Sequence, residues 1–420
     1  MDYDVFIAGG GLAGTSLALA LAPAAAAGTL RVALAEAAPP ADGEGRAQHD
    51  VRALALAEGS RRILETLGVW EAIAPHATAI ERIHVSDRGR FGFARLTNRD
   101  LGVPALGYTV EIATLAASLW QALGDCRQIV RLCPAVVESA VWRDGHVELG
   151  VRLGQEDGGG NTLTTVRARL VVAADGADSR LRAAAGIETE QIAYAQQALV
   201  ATVALGRPHA HTAYERFTPE GPLAIVPLAG QRAKLIWSTP QNRIAERLAW
   251  DDESFLAHLQ DNFGERLGTF SQPGPRRAYP LVFTRVATPV RPRLALVGNA
   301  AHTVHPVAGQ GFNLALRDVA ALAEILVEAT RRGEDPGAPA VLARYADWRA
   351  ADTGAVQGLT HLMVRAFANE ALPLVLLRDL GLLAVDLIPP LKRRLMRLTS
   401  GLAAAAGGRL PRLARGLPLL

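Results

Sequence analysis

Gly298-Asn-Ala-Ala-His-Thr-Val-His-Pro-Val-Ala-Gly-Gln-Gly-Phe-Asn-Leu-Ala-Leu-Arg-Asp318 is the stretch on which the reading of this chain turns. The apolar run Leu294 to Val297 precedes it and reads as a buried strand. Leu314, Leu316, Val319, Leu322, Ile325 and Leu326 follow at close to helical spacing. The predicted order is therefore strand, Gly-rich turn, helix. Gly309 and Gly311 let the backbone approach a ligand closely. The helix start offers free N–H groups and the positive end of the dipole, which favour an anion.

The beginning of the chain repeats this logic. Asp4 to Ala8 is a short apolar run that opens on Gly9-Gly-Gly-Leu-Ala-Gly14, and a helical stretch from Thr15 to Ala22 follows. Pro23 is expected to end or kink that helix. A second apolar strand, Leu30 to Ala35, closes on Glu36. Strand, glycine turn, helix, strand and acid in register form the dinucleotide fingerprint. Gly9 permits the tight turn, Gly11 admits the pyrophosphate beside Leu12 and Ala13, and Gly14 permits close helix–strand packing. Glu36 stands where it takes the ribose hydroxyls of an adenosine. Its charge repels a 2′-phosphate, so FAD or NAD fits here and NADP does not.

A third stretch of this kind is Ala174-Asp-Gly-Ala-Asp-Ser-Arg-Leu-Arg182, at the end of the strand Leu163 to Val172, with a helix start near Ser179. Between the motifs, His49-Asp-Val-Arg-Ala-Leu-Ala-Leu56 leads into a helix near Ser60. Taken together, these stretches resemble the class A flavoprotein monooxygenases. The Gly-Asn-Ala-Ala-His opening and the Ala-Gly-Gln-Gly-Phe-Asn-Leu run look most like the ubiquinone-biosynthesis hydroxylases of the UbiH type. Most of the superfamily has aspartate at the place of Asn299, where it accepts a hydrogen bond from the flavin ribityl chain. Asn299 can accept one through its side-chain carbonyl, and asparagine is the pattern of that branch.

The resemblance implies a fold: α/β with an α+β insert. It combines a Rossmann-like FAD-binding domain, an inserted antiparallel substrate sheet and a helical C-terminal region. The expected blocks are 1–79, 107–186 and 286–345 for the FAD domain, 80–106 and 187–285 for the substrate sheet, and 346–420 for the C-terminal region. Within the sheet, Ile80 to Ser86 and Phe91 to Leu96 read as a hairpin. Leu199 to Leu205, Thr212 to Phe217, Leu223 to Pro227 and Lys234 to Thr239 read as antiparallel strands, packed on an amphipathic helix from Asp251 to Phe263.

By the same resemblance FAD is the cofactor, with NAD(P)H and O2 as co-substrates. Arg52, Asp175 and Arg182 are carried over to the FAD pyrophosphate region. Asn299, Gly309, Gly311, Phe312 and Asn313 are carried over to the flavin. His305 and Pro306 are expected beside the ring, and Tyr214, Arg216 and His305 on the substrate wall. The implied substrate is a polyprenylated methoxyphenol on the way to ubiquinone. The alternatives are a related hydroxylase acting at another ring position or on a soluble phenol, a prenyl reductase, and a flavin-bearing scaffold subunit of a quinone-synthesis assembly.

The totals narrow the remaining classes. A chain of 420 residues, half of them hydrophobic and a fifth charged, is globular and large enough for more than one core. A net charge of +3 is too mild to argue for nucleic acid. The two cysteines, Cys126 and Cys133, show no metal or redox spacing, as expected of free thiols in a reducing compartment. No zinc, calcium or Walker pattern occurs, and His302 with His305 lacks a matching acid or cysteine. No metal is expected. No signal peptide is expected, since Asp2 and Asp4 stand where basic residues would be, and no apolar run reaches the roughly 20 residues of a spanning helix. From Leu387 onward there is no acidic residue. Lys392, Arg393, Arg394, Arg397, Arg409, Arg412 and Arg415 interleave there with leucines. That pattern suits an anionic membrane face, so the expected location is the cytoplasm, peripheral at the inner face of the membrane. Other ubiquinone-biosynthesis enzymes are the further expected partners.

Overall fold

The computed structural model describes residues 1–40, 52–154, 162–304, 309–367, 371–403 and 408–420. The first half of the chain runs β1 (Tyr3–Ala8), α1 (Leu12–Ala26), β2 (Val32–Ala35), β3 (Ala53–Ala57), α2 (Glu58–Thr66), α3 (Trp70–Ile73), β4 (Thr78–Ile80), β5 (Arg82–Asp87), β6 (Phe93–Thr97), α4 (Asn98–Leu101), β7 (Gly107–Glu111) and α5 (Ile112–Asp125). Then come β8 (Ile129–Leu132), β9 (Ala135–Arg143), β10 (His146–Leu153), β11 (Thr162–Ala173) and α6 (Arg180–Ala184). The long strand β12 (Thr189–Leu205) leads to β13 (Thr212–Thr218), β14 (Gly221–Leu228), β15 (Arg232–Pro240), α7 (Ile244–Ala249) and α8 (Asp252–Phe263). The remainder is β16 (Phe270–Ser271), β17 (Arg277–Val286), β18 (Val290–Arg291), β19 (Leu294–Leu296), β20 (His302–Thr303), α9 (Gln310–Arg331), α10 (Pro339–Phe367), α11 (Leu372–Leu387) and α12 (Pro389–Thr399).

The FAD-type domain is built on an eight-stranded sheet. Its centre, β8-β2-β1-β11-β19, is parallel throughout. Such strands are covered on both faces and are therefore apolar without interruption. Val5, Ile7, Val32 and Leu34 pack with α1, α5 and α9 on one face, while Phe6, Ala8, Ala33 and Ala35 pack with β10 on the other. Pro23 does not end α1; the helix continues to Ala26. Pro23 lies in the last turn, so the lost N–H costs one hydrogen bond near an end that frays anyway. The pairing of β8 with β2 and of β9 with β10 went unread in the sequence, because these strands are short or alternate irregularly.

The second sheet has nine strands, ordered β20-β17-β12-β15-β14-β13-β5-β6, with β16 beside β12. It is not purely antiparallel: β5 runs parallel to β13, from Thr212 opposite Arg82 to Phe217 opposite Asp87. The hairpin β5–β6 is thereby carried from the first part of the chain to the edge of a sheet made mainly by the middle. One face packs on α8, through Leu199, Leu223, Leu235 and Trp237 against Phe255 and Leu259. The other face carries Ala198, Val200, Ile236, Tyr279 and Leu281. A third, small sheet, β3-β7-β4, belongs to neither large one.

Candidate functional site

The first turn is shaped by what a side chain would strike. Gly9 has φ +102°, and a Cβ there would lie 2.4 Å from the Ala174 carbonyl oxygen. At Gly14 it would lie 1.9 Å from the Gly9 oxygen. These two glycines are therefore fixed by packing of α1 onto β1 and β11. Gly11 differs, because a Cβ there meets nothing within 4 Å among the described residues. Gly11 is also the N-cap of α1, without a side-chain cap and without an acid in the first turn. Gly9 donates its N–H to the Ala35 oxygen and Gly10 to Glu36, which leaves the amides of Gly11, Leu12 and Ala13 beside the positive dipole end. That is the donor set a pyrophosphate requires.

Glu36 is held at the end of β2 by two backbone bonds: its N–H donates to the Leu132 oxygen at 2.9 Å, and its own carbonyl accepts from Ala135 at 2.7 Å. Its carboxylate accepts from the Gly10 N–H at 2.5 Å and from the Ala38 N–H at 3.2 Å. Two hydrogen bonds leave acceptor sites on both oxygens for ribose hydroxyls.

The Asp-Gly motif stands against this turn. Gly176 has φ +90°, and the Ser179 hydroxyl caps α6 by accepting from the Arg182 N–H at 3.1 Å. Asp175 Oδ2 accepts from the Leu181 N–H at 3.4 Å, while Oδ1 is buried with no partner among the described residues. A buried carboxylate oxygen needs a donor, and a bound dinucleotide supplies hydroxyls. Arg182 braces this turn from behind. It is buried, and its guanidinium donates to the Ala300 oxygen at 3.0 Å and the Ala177 oxygen at 2.7 Å. It therefore clamps the Asp-Gly turn to the Gly298 turn.

The Gly298 turn is the third wall. Gly298 has φ +60°, and a Cβ there would come within 3.1 Å of the Ala13 Cβ, so this turn leans on the start of α1. Asn299 is exposed between buried Gly298 and Ala300, an orientation that leaves its amide able to meet a ribityl hydroxyl. Gly309, with φ +60°, is the N-cap of α9 and rests on Ala55. Among the described residues, Gly311 has only the Val304 Cγ2 near its Cβ position, at 3.9 Å. Phe312 and Asn313 follow in the first turn of α9, where backbone N–H groups are free of helix partners. Phe312 is buried in the core of the FAD domain. Asn313 spends its amide on protein: Nδ2 donates to the Ala55 oxygen at 2.8 Å and the Gly309 oxygen at 2.6 Å, and Oδ1 accepts from the Ala57 N–H at 2.8 Å. Both side chains position the loop. His305 and Pro306 lie outside the described residues.

Arg52 stands just before β3 of the small sheet and reaches across to the second large sheet. Its carbonyl accepts from the Ile112 N–H at 3.1 Å, and its guanidinium lies over the Tyr279 ring, 5.6 Å from the centroid. Tyr279 therefore marks the face of the second sheet that looks at the FAD domain. By strand alternation Tyr214 and Arg216 are on the opposite face. Tyr214 packs edge-on against Phe263 of α8 at 5.4 Å, so neither belongs to the wall facing the cofactor. That wall is mostly apolar. At its edge the Tyr194 hydroxyl and His361 Nδ1 lie 3.1 Å apart, a pair able to exchange a proton.

A buried charge network behind the Gly298 turn was not read from the sequence. Asp318 Oδ2 accepts from the Gly298 N–H at 3.2 Å and lies 2.5 Å from His302 Nε2. Its Oδ1 accepts from Arg349 Nε at 2.8 Å. Arg349 and Arg317 both reach Asp352, at 2.5 Å and 3.0 Å. Arg317 also donates to the Leu398 oxygen at 3.1 Å, which ties α12 to the network. Burial works against the Asp318 carboxylate, but His302 and Arg349 together outweigh it and hold its pKa below the usual value.

Comparison with known proteins agrees with this geometry. The family described as FAD binding domain matches residues 2–356. The ubiquinone hydroxylase UbiL of Rhodospirillum rubrum is 41% identical, over 99% of this chain and 93% of its own. The 3-demethoxyubiquinol 3-hydroxylase of Escherichia coli is 35% identical, over 95% of this chain and 98% of its own. Among solved structures, p-nitrophenol 4-monooxygenase PnpA of Pseudomonas putida superposes with a TM-score of 0.74 at 18% identity, covering 94% of this chain and 98% of that one. That likeness speaks to the fold. With glycine turns, an acid and two uncapped helix starts converging as a dinucleotide requires, the chain belongs to the FAD-binding-domain family and, within it, to the FAD-dependent hydroxylases of the UbiH/UbiF type.

Proposed function

We propose that this enzyme hydroxylates a polyprenylated phenol, a 2-polyprenyl-6-methoxyphenol, on the way to ubiquinone. The net reaction takes a ring C–H, O2, NAD(P)H and a proton to a ring C–OH, water and NAD(P)+. The observation that carries this reading is the 41% identity to a ubiquinone hydroxylase across 99% of the chain, the second sheet included. That sheet is where substrate selection resides in this architecture. FAD, when bound, carries the electrons and activates oxygen. The chain's own residues do the rest. The Gly11 turn and Glu36 anchor the dinucleotide, Asn299 and the Gly309 turn position the ring end, and Ala198, Val200, Ile236 and Leu281 exclude water. Tyr194, paired with His361, takes the phenol hydroxyl as its partner. Because such a substrate resides in the bilayer, the enzyme works at a membrane surface.

The test is turnover by the FAD-loaded protein of a prenylated methoxyphenol in vesicles, with NADH or NADPH. One product a single oxygen heavier is expected, with nicotinamide oxidation stimulated by the phenol. Oxidation that no quinone precursor stimulates contradicts the reading. Tyr194→Phe is expected to lower product formation roughly 100-fold while FAD affinity stays unchanged. Wild-type product yield in that variant removes Tyr194 from the mechanism.

A further inference from the structure

Helix α11 is amphipathic in the wrong sense for a soluble surface. Its charged residues point inward. Arg378 Nε donates to Asp87 Oδ2 at 2.7 Å. Asp386 accepts from the Arg95 N–H at 2.9 Å, pairs with the Arg95 guanidinium at 3.2 Å and lies 3.6 Å from Lys392 Nζ. Asp379 is fully buried, so close under Gly92 that a Cβ there would strike its carboxylate. The outward face is leucine: Leu372, Leu376, Leu377, Leu380 and Leu387 are 68%, 48%, 66%, 57% and 72% exposed. The apolar strip continues through exposed Ile388 and Leu391. The inward ion pairs fix the roll of the helix, so these leucines have no inward alternative. Scattered exposed leucines are ordinary, whereas a contiguous patch of this kind marks an interaction surface.

The neighbouring helix states which surface. On α12, Met396 is buried and Arg393, Arg394 and Arg397 are exposed, with no salt bridge to any of the three among the described residues. No acid follows Asp386 in the chain. An apolar face bordered by unpaired arginines matches the acyl boundary and anionic headgroups of a bilayer. No helix among the described residues is long and apolar enough to cross one. We infer that α11 lies in the plane of an anionic membrane, its leucine face in the acyl boundary and the α12 arginines on the headgroups. This moves the contact from the basic C-terminal segment as a whole to a defined pair of helices. Arg409 is turned away, paired with Glu324 at 3.0 Å and Glu328 at 3.2 Å. Leu413 and Leu419 are buried in the core of the FAD domain.

The inference gives the membrane contact of the proposed lipid hydroxylase a location, but its test does not use the lipid substrate. Truncation before Lys392 is unsuitable, because it would strip Leu413 and Leu419 from the core. The FAD-loaded full chain is instead floated with phosphatidylglycerol-containing and with purely phosphatidylcholine vesicles. The triple variant Leu376→Gln/Leu377→Gln/Leu380→Gln changes only exposed positions to good helix formers. It is expected to lose on the order of 100-fold in vesicle partitioning, with FAD content and melting temperature unchanged. Arg393→Gln/Arg394→Gln/Arg397→Gln is expected to lose the preference for anionic vesicles, on the order of 100-fold at low salt. Wild-type partitioning by the leucine variant overturns the inference. So does a wild-type dimer that the leucine variant abolishes without any loss of vesicle binding, since a second copy would then be the occupant. A wild-type protein that floats but hydroxylates no quinone precursor leaves α11 as a membrane helix and removes the substrate.

Discussion

Gly11→Val is expected to leave the protein folded and to weaken FAD binding by at least about 100-fold, while Gly14→Val is expected to prevent the FAD domain from folding. The two glycines belong to one turn and look equivalent in the sequence. Around Gly11 a Cβ meets nothing within 4 Å among the described residues, and its φ of −65° with ψ of −172° is open to any residue. A valine there costs the protein little, but it stands over the amides that receive the pyrophosphate. Each hydrogen bond from an amide to a charged oxygen contributes about 1.5–3 kcal/mol, so losing two accounts for the loss of affinity. At Gly14 the added carbon would lie 1.9 Å from the Gly9 oxygen. Relief requires prising α1 from β1, and overpacking of that kind costs about 3 kcal/mol or more. Flavin titration of the apoprotein and thermal melts separate the outcomes. A Gly11→Val protein that retains stoichiometric FAD would place the dinucleotide elsewhere.

The second large effect concerns Asp318. Asp318→Asn is expected to destabilise the protein by roughly 3–5 kcal/mol, the usual consequence of removing one partner from a buried charge cluster. Asp318 takes three donors: the Gly298 N–H at 3.2 Å, His302 Nε2 at 2.5 Å and Arg349 Nε at 2.8 Å. Asparagine offers one oxygen and turns an NH2 group toward donors. The folded carboxyl has a lowered pKa, so its contribution is complete above the unfolded value of about 3.9. It is lost as pH falls through the lower folded value. The difference between wild type and variant is therefore expected to be constant near neutrality and to shrink below about pH 4. Denaturant midpoints at pH 7 and about pH 3 measure it. Equal stability of the two proteins at pH 7 would mean that the cluster is dispensable. Because Gly298 is among the donors, the variant is also expected to bind FAD more weakly.

The parts legible in the sequence are those whose cause is local. The opening βαβ unit is written in adjacent residues, as a strand, a glycine turn, a helix and Glu36. The strand, turn and helix around Gly298 to Asp318 follow in the same way, and so does the cap at Ser179. What escaped depends on partners far along the chain. The bonds of the Arg182 and Asn313 side chains to the Ala300 and Ala55 carbonyls could not be foreseen. The faces of Tyr214 and Arg216 depend on where α8 docks, and β5 finds β13 across more than a hundred residues. Helix α11 is the clearest case. Its charges interrupt an apolar run and invite an outward reading, yet Asp87 and Arg95, each 291 residues away from its partner, draw them inside. The leucines are outside for that reason.

The most direct test of the account is a mass-spectrometric profile of quinone intermediates in a strain lacking this gene, with and without a plasmid copy. Loss of ubiquinone with accumulation of a 2-polyprenyl-6-methoxyphenol, both reversed by the wild-type copy and not by Gly11→Val, is the predicted result. Unchanged ubiquinone with no stalled prenylphenol would contradict it.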